Sequence, residues 1–181
     1  AAALNHGVSI ATGEILVFTD ANSLLDRPTL RALVAPFADA TVGGVAGNQV
    51  YDDDRTNTAG ERAHWDVDRQ IKRAGSRIGS IVSATGALYA IRRELFDPVI
   101  DGVTDDFYVS TGVVVAGFRL VLAHDAVVRE QVAPDTWLEF ARKRRIMTRG
   151  FAAVRARREL LETLKELDTV VKRRRFVEDA L

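Results

Sequence analysis

The chain has 181 residues, of which 47% are hydrophobic and 28% charged, with 25 basic and 25 acidic side chains and no cysteine. That length and composition fit one globular domain with a sizeable core. The lack of cysteine excludes disulfides and thiolate metal sites, and no run of about 18 apolar residues occurs that would read as a transmembrane helix.

The neutral net charge conceals an asymmetry. Residues 142–175 carry 13 Lys and Arg against four acids, so the rest of the chain is acidic by the same excess of nine. A basic arm on an acidic body suits an anionic partner, such as a membrane surface, a diphosphate or nucleic acid. A solvated helix face accounts for the same composition.

In chain order, Ala1 to Ala11 reads as a short helix, ended at Thr12-Gly13. Ile15 to Phe18 is a continuous apolar run and predicts a strand buried on both faces. Asp26 and Pro28 open a helix carrying Leu30, Leu33, Val34 and Phe37. Val42 to Tyr51 is a Gly-rich strand, and Ala59 to Arg77 has helical spacing with Trp65, Val67 and Ile71 as its expected buried residues. Ala87 to Ile91 predicts a strand, Asp105 to Ala116 a helix closed by Gly117, and Leu120 to Ala123 and Val127 to Val132 two short strands. From Asp135 onward the chain reads as one or two long helices. Alternating strands and helices predict an α/β sandwich with a mainly parallel sheet over 1–134, followed by a basic amphipathic arm over 135–181.

Three stretches carry chemistry. Thr19-Asp20-Ala21-Asn22 follows the first strand, and open α/β sheets bind ligands beyond their strands' carboxyl ends. The Asp20 carboxylate and the Asn22 amide oxygen are donors suited to a hard divalent cation, although both residue types are also ordinary in turns. Thr104-Asp105-Asp106 opens a helix, where acids favour the positive end of the dipole. Asp105 suits that capping role, while Asp106 is free to face a cleft as a general base. Thr85-Gly86-Ala87 is a small-residue turn where backbone can approach a ligand closely, or a plain turn before an edge strand. His6, His64 and His124 lack metal-ligand spacing.

The order of these pieces resembles the family 2 glycosyltransferases, of the branch similar to hyaluronan, cellulose and poly-N-acetylglucosamine synthases. The resemblance covers roughly residues 1–150 and rests on Ala3-Leu4-Asn5, Gly13 to Asn22, Gly86 to Phe96, Thr104-Asp105-Asp106, Ala116 to Arg119 and Ala126 to Glu130. It implies a GT-A (Rossmann-like) fold and an inverting transfer from a nucleotide-activated sugar, expected to be a UDP-sugar, to a hydroxyl of a carbohydrate or lipid-linked acceptor. By that resemblance Asp20 matches the first acid of a D-x-D motif that holds Mg2+ or Mn2+, with Asn22 where the second acid stands. Asp106 matches the catalytic base of T-E-D, with Asp105 in place of Glu, and Thr85-Gly86-Ala87 with Asp105 lines the acceptor site.

Two departures stand out. Arg142 to Gly150 occupies the place of the synthases' Q-x-x-R-W without its Gln or its aromatic, which points to transfer of one or a few sugars; Arg142 and Arg145 remain to meet the diphosphate. The family also places one or two β-α units before the residue numbered Ala1. The chain therefore reads as beginning mid-fold, expected to be inactive or dependent on a complementary half, with an open sheet edge. In the arm, Phe140, Met147, Phe151, Val154 and Leu161 recur at helical spacing, which suits either a membrane interface through 140–175 or packing on the core. Leu160, Leu164, Leu167 and Val171 form a second stripe suited to self-association. A cytoplasmic location, at the membrane's cytoplasmic face if the arm docks there, is expected, in polysaccharide or glycolipid synthesis. A non-catalytic subunit, a module binding an anionic surface, and a nucleotidyl transferase are the competing classes. Arg-rich helices without interleaved aromatics argue against nucleic acid.

Overall fold

The computed structural model describes residues 1–51, 70–72, 74–77, 79–130, 136–158 and 162. Its helices are α1 (Ala2–Ile10), α2 (Thr29–Val34), α3 (Asp105–Val115) and α4 (Thr136–Ala156). Its strands are β1 (Ile15–Thr19), β2 (Leu24–Leu25), β3 (Val42–Tyr51), β4 (Leu88–Arg92) and β5 (Arg119–Glu130). The sheet order is β1-β4-β3-β5-β2. The β3–β5 pair is parallel, and the β1–β4, β3–β4 and β2–β5 pairs are antiparallel, so the described sheet is mixed.

Two apolar clusters cover its faces, as an α/β sandwich requires. Leu16, Tyr89, Ile91 and Leu120 pack against Val109 and Val113 of α3 and Ala153 of α4, with Leu4 and Val8 of α1 alongside. On the other face Leu33 of α2 packs with Val45, Leu88, Ala90 and Val128. The glycines of β3 allow α3 this close: a Cβ on Gly43 would stand 2.5 Å from Phe118 Cβ and 2.9 Å from Val113 Cγ1. Helix α3 ends in a Schellman turn, with Gly117 at φ 83° and the N–H groups of Gly117 and Phe118 donating to Val114 and Val113 carbonyls.

Several local expectations change. Strand β1 is an edge of the described sheet rather than a doubly buried strand, because only β4 pairs with it; Val17 is 40% exposed. The helix expected from Asp26 is short, Thr29–Val34, and tightens into a 3-10 turn over Ala35–Ala38 at Pro36. The two strands expected on either side of His124-Asp125 are one, β5, since those polar residues sit at an irregularity in the β3–β5 register that Asn48 bridges by donating to the His124 carbonyl at 2.9 Å. Ile71, expected to be buried, is exposed. Trp65, Val67 and His64 lie outside the described residues, as do Leu160, Leu161, Leu164, Leu167 and Val171.

On α4 the alternative of core packing fails for Phe140, Met147 and Phe151, which are 55%, 62% and 71% exposed. Helix α4 instead turns Ala153 inward and Arg142, Arg145 and Arg149 toward a cleft.

Candidate active site

The antiparallel pairing of β1 with β4 sets Thr19 opposite Leu88 and so brings Asp20 beside the turn that leads into β4. Thr19 Oγ1 donates to the Ala87 carbonyl at 2.9 Å and fixes that junction. Helix α3 then delivers Asp106 from its first turn to the same place, where its carboxylate favours the helix's positive end. The position that a Cβ on Gly86 would occupy is 3.5 Å from Asp106 Oδ2 and 3.6 Å from Asp20 Oδ2. Gly86 is thus the bare backbone over which the two carboxylates meet.

These residues line one cleft of about 630 Å³, a size suited to a small ligand. Every site residue expected from sequence borders it: Asp20, Asn22, Thr85, Gly86, Ala87, Asp105, Asp106, Arg142 and Arg145. The cleft also has walls that sequence reasoning passed over, among them Gln49, Glu130 and Arg149. Glu130 closes β5 and is nearly buried; its Oε1 accepts from Ser23 Oγ at 3.0 Å and its Oε2 from Gln49 Nε2 at 2.6 Å. The signal that could have found it is the one that found Asp20, an acid at the end of an apolar strand.

The electrostatics are those of acids confined together. Burial, then Glu130 and Asp105, push the Asp20 carboxyl above its ordinary range, while Arg142 pulls it down. Burial likewise raises Asp106, with Asp105 and Asp20 adding to it, against the N–H groups of Phe107 and Gly86; the Phe107 N–H donates to Asp106 Oδ1 at 2.8 Å. Asp20, Asn22 and Glu130 in the cleft lining carry oxygen donors of the type a hard divalent cation takes, and a cation would relieve the crowding of charge that Asp20 experiences. Among the described residues, no group of three or more His, Cys, Asp or Glu side chains is arranged to hold a metal by itself. The remaining ligands of such a cation would have to come from water or a bound diphosphate.

A GT-A-type α/β fold with its cleft at the ends of β1, β3 and β5 defines the structural class. Residues 1–150 match glycosyltransferase-like family 2, and the chain belongs to that family. No curated protein matches it. Among solved structures it is similar to the mannosyltransferase PcManGT from Pyrobaculum calidifontis in complex with GDP-Man and Mn2+, at 29% identity and a TM-score of 0.67, covering 86% of this chain and 43% of that one. It is also similar to glucosyl-3-phosphoglycerate synthase from Mycobacterium tuberculosis, in complex with Mn2+, UDP-Glc and phosphoglyceric acid, at 20% identity and a TM-score of 0.47, covering 83% and 53%. The chain therefore spans about half the length of these proteins or less.

Proposed function

We propose that the cleft performs an inverting transfer of a sugar from a nucleoside diphosphate sugar to a hydroxyl acceptor, with Mg2+ or Mn2+ bound at Asp20. The meeting of Asp20 and Asp106 over Gly86, opposite Arg142 and Arg145, carries this reading. In the transfer, Asp106 takes the proton of the acceptor hydroxyl as its oxygen bonds to the anomeric carbon. The bond from that carbon to the diphosphate breaks, and its electron pair leaves with the nucleoside diphosphate. Burial raises the basicity of Asp106, which suits it to accept a proton. Arg142 and Arg145 offer guanidinium donors to the departing diphosphate, and Asp20 with Asn22 would hold the cation, which supplies further positive charge to that leaving group. Thr85, Gly86, Ala87 and Asp105 shape the side on which the acceptor enters. The mannosyltransferase's GDP-Man complex makes GDP-mannose a donor to test beside UDP-sugars.

The synthase-like branch, and polysaccharide or glycolipid synthesis with it, rests on the sequence motifs alone. Contact with a membrane surface is supported by the exposed stripe of α4 and by its basic flanks. No described helix is long and apolar enough to cross a membrane.

The decisive variant is Asp106→Asn, which removes the proton acceptor and keeps the shape. Transfer should fall by roughly 10²–10⁴-fold while donor affinity, measured by calorimetry, stays nearly constant. Donor binding lost in step with turnover would reassign Asp106 to substrate binding. Pyrophosphate rather than nucleoside diphosphate as product would make the reaction a nucleotidyl transfer.

A further inference from the structure

The transfer described above makes no use of the phenol of Tyr89. This residue is 2% exposed, and its hydroxyl is enclosed without a hydrogen-bond partner among the described residues. The ring is fixed: it stacks on Phe18 with centroids 4.7 Å apart and planes 13° from parallel, and Phe18 stacks in turn on Phe96 at 6.1 Å. On its other side it joins the core beneath α3. A buried donor with no acceptor is costly, so phenylalanine would serve a purely apolar role here better.

The surroundings of the hydroxyl are not purely apolar. Tyr89 lies three residues beyond Gly86 and pairs with Phe18, two residues before Asp20. Burial pushes the ionisation of its phenol well above the ordinary range, and the carboxylates of Asp105, Asp106 and Asp20 push it further, so the O–H keeps its proton. The unused donor thus sits within the field of three carboxylates and is bonded to none of them.

We propose that the Tyr89 hydroxyl is a reserve donor for the Asp106 carboxylate, engaged when substrates fill the cleft, and that Tyr89 is a positioning residue for proton abstraction. The inference rests on the function proposed above. A filled cleft takes water away from Asp106, and a carboxylate deprived of water needs other donors to keep one oxygen fixed while the second faces the acceptor. The Phe107 and Gly86 N–H groups hold Asp106 from the helix and turn sides, and Tyr89, in the core cluster under the same helix, would be the further donor. The proton still passes from the acceptor to Asp106.

Tyr89→Phe removes one oxygen and keeps the aromatic stack. The test compares wild type, Tyr89→Phe and Asp106→Asn for melting temperature with and without Mn2+ plus UDP-glucose or GDP-mannose, and for kcat and KM. Tyr89→Phe is expected to melt at or above wild type when unliganded, to gain less on ligand addition, and to lose roughly tenfold in kcat with KM within about twofold. A lower unliganded melting temperature with full ligand stabilisation and full kcat would mark a structural tyrosine and overturn the proposal, as would a variant identical to wild type throughout. Failure of the underlying reading looks different: wild type unshifted by either donor, or Asp106→Asn fully active, removes both. An inactive Asp106→Asn beside an unaffected Tyr89→Phe removes the role of Tyr89 alone.

Discussion

The role proposed for Asp106 asks for a base where its charge is disfavoured. Burial, the largest cause, pushes its carboxyl above 3.8, and Asp105 and Asp20 add to it against the two backbone N–H groups. An acid whose folded pKa is raised binds its proton more tightly in the native state than in the unfolded chain. The corresponding stability is present below 3.8 and is lost as pH rises through the raised value. Asp20 shifts in the same direction, so acid should favour this cleft while neutral pH costs it stability. Asp106→Asn should therefore melt slightly higher than wild type at neutral pH, and the gap should close as pH is lowered toward 3.8. Thermal melts across that range check this. A variant that melts lower at neutral pH would mean that the N–H groups of Phe107 and Gly86 outweigh burial.

At the scale of elements, the position of α4 depends on a residue just past its end. Arg157 Nη2 lies 2.9 Å from Asp97 Oδ2, and its guanidinium sits 3.8 Å from the Tyr108 ring centroid. Tyr108 also donates to Asp97 at 3.1 Å, so helix α3, the loop before it and α4 share one polar knot. Because Asp97 is half-exposed, Arg157→Ala should cost about 1–2 kcal/mol, mostly from the stacked cation. It should also loosen Arg142, Arg145 and Arg149 and weaken UDP binding, while Arg157→Lys recovers the charge without the planar stack. Hydrogen exchange over α4 and a UDP titration measure both effects; unchanged UDP affinity in Arg157→Ala would make the anchor irrelevant to the cleft.

This knot was not legible in the sequence, because nothing local links position 97 to 157. What was legible is whatever the strand-end rule and the helix dipole report: Asp20 after an apolar run, Asp106 in a first turn, and the small residues of Thr85-Gly86-Ala87. Tyr89 read as one more strand residue, since the absence of a partner exists only once the core is closed. His124-Asp125 read as a break because polar pairs usually turn the chain, whereas β3 holds them in register through Asn48. The exposure of β1 depends on which strand pairs with it, and apolar content alone does not specify that.

Over the whole molecule, the separation of charge acquires a direction. Helix α4 presents Arg142, Arg145 and Arg149 to the cleft, while Phe140, Met147 and Phe151 recur at steps of seven and four residues and stand exposed, with Lys143, Arg144 and Arg155 around them. Large apolar side chains clustered this way on a surface helix fit the proposed membrane contact, in which the surrounding cations would favour an anionic surface. Each Lys or Arg near an anionic bilayer contributes about 1 kcal/mol, which screening by salt removes, whereas the inserted apolar side chains contribute independently of salt. The two contributions can therefore be separated. Binding to vesicles containing phosphatidylserine should exceed binding to neutral vesicles and fall with salt. Combined Phe140→Ser, Met147→Ser and Phe151→Ser should weaken it roughly tenfold at any salt concentration, leaving the fold intact because all three side chains are more than half exposed. Co-sedimentation measures this. If neutral and anionic vesicles bind alike, or the triple variant binds as well as wild type, α4 faces another protein rather than a bilayer, and an acceptor held in the membrane would have no route to the arginines on its opposite side.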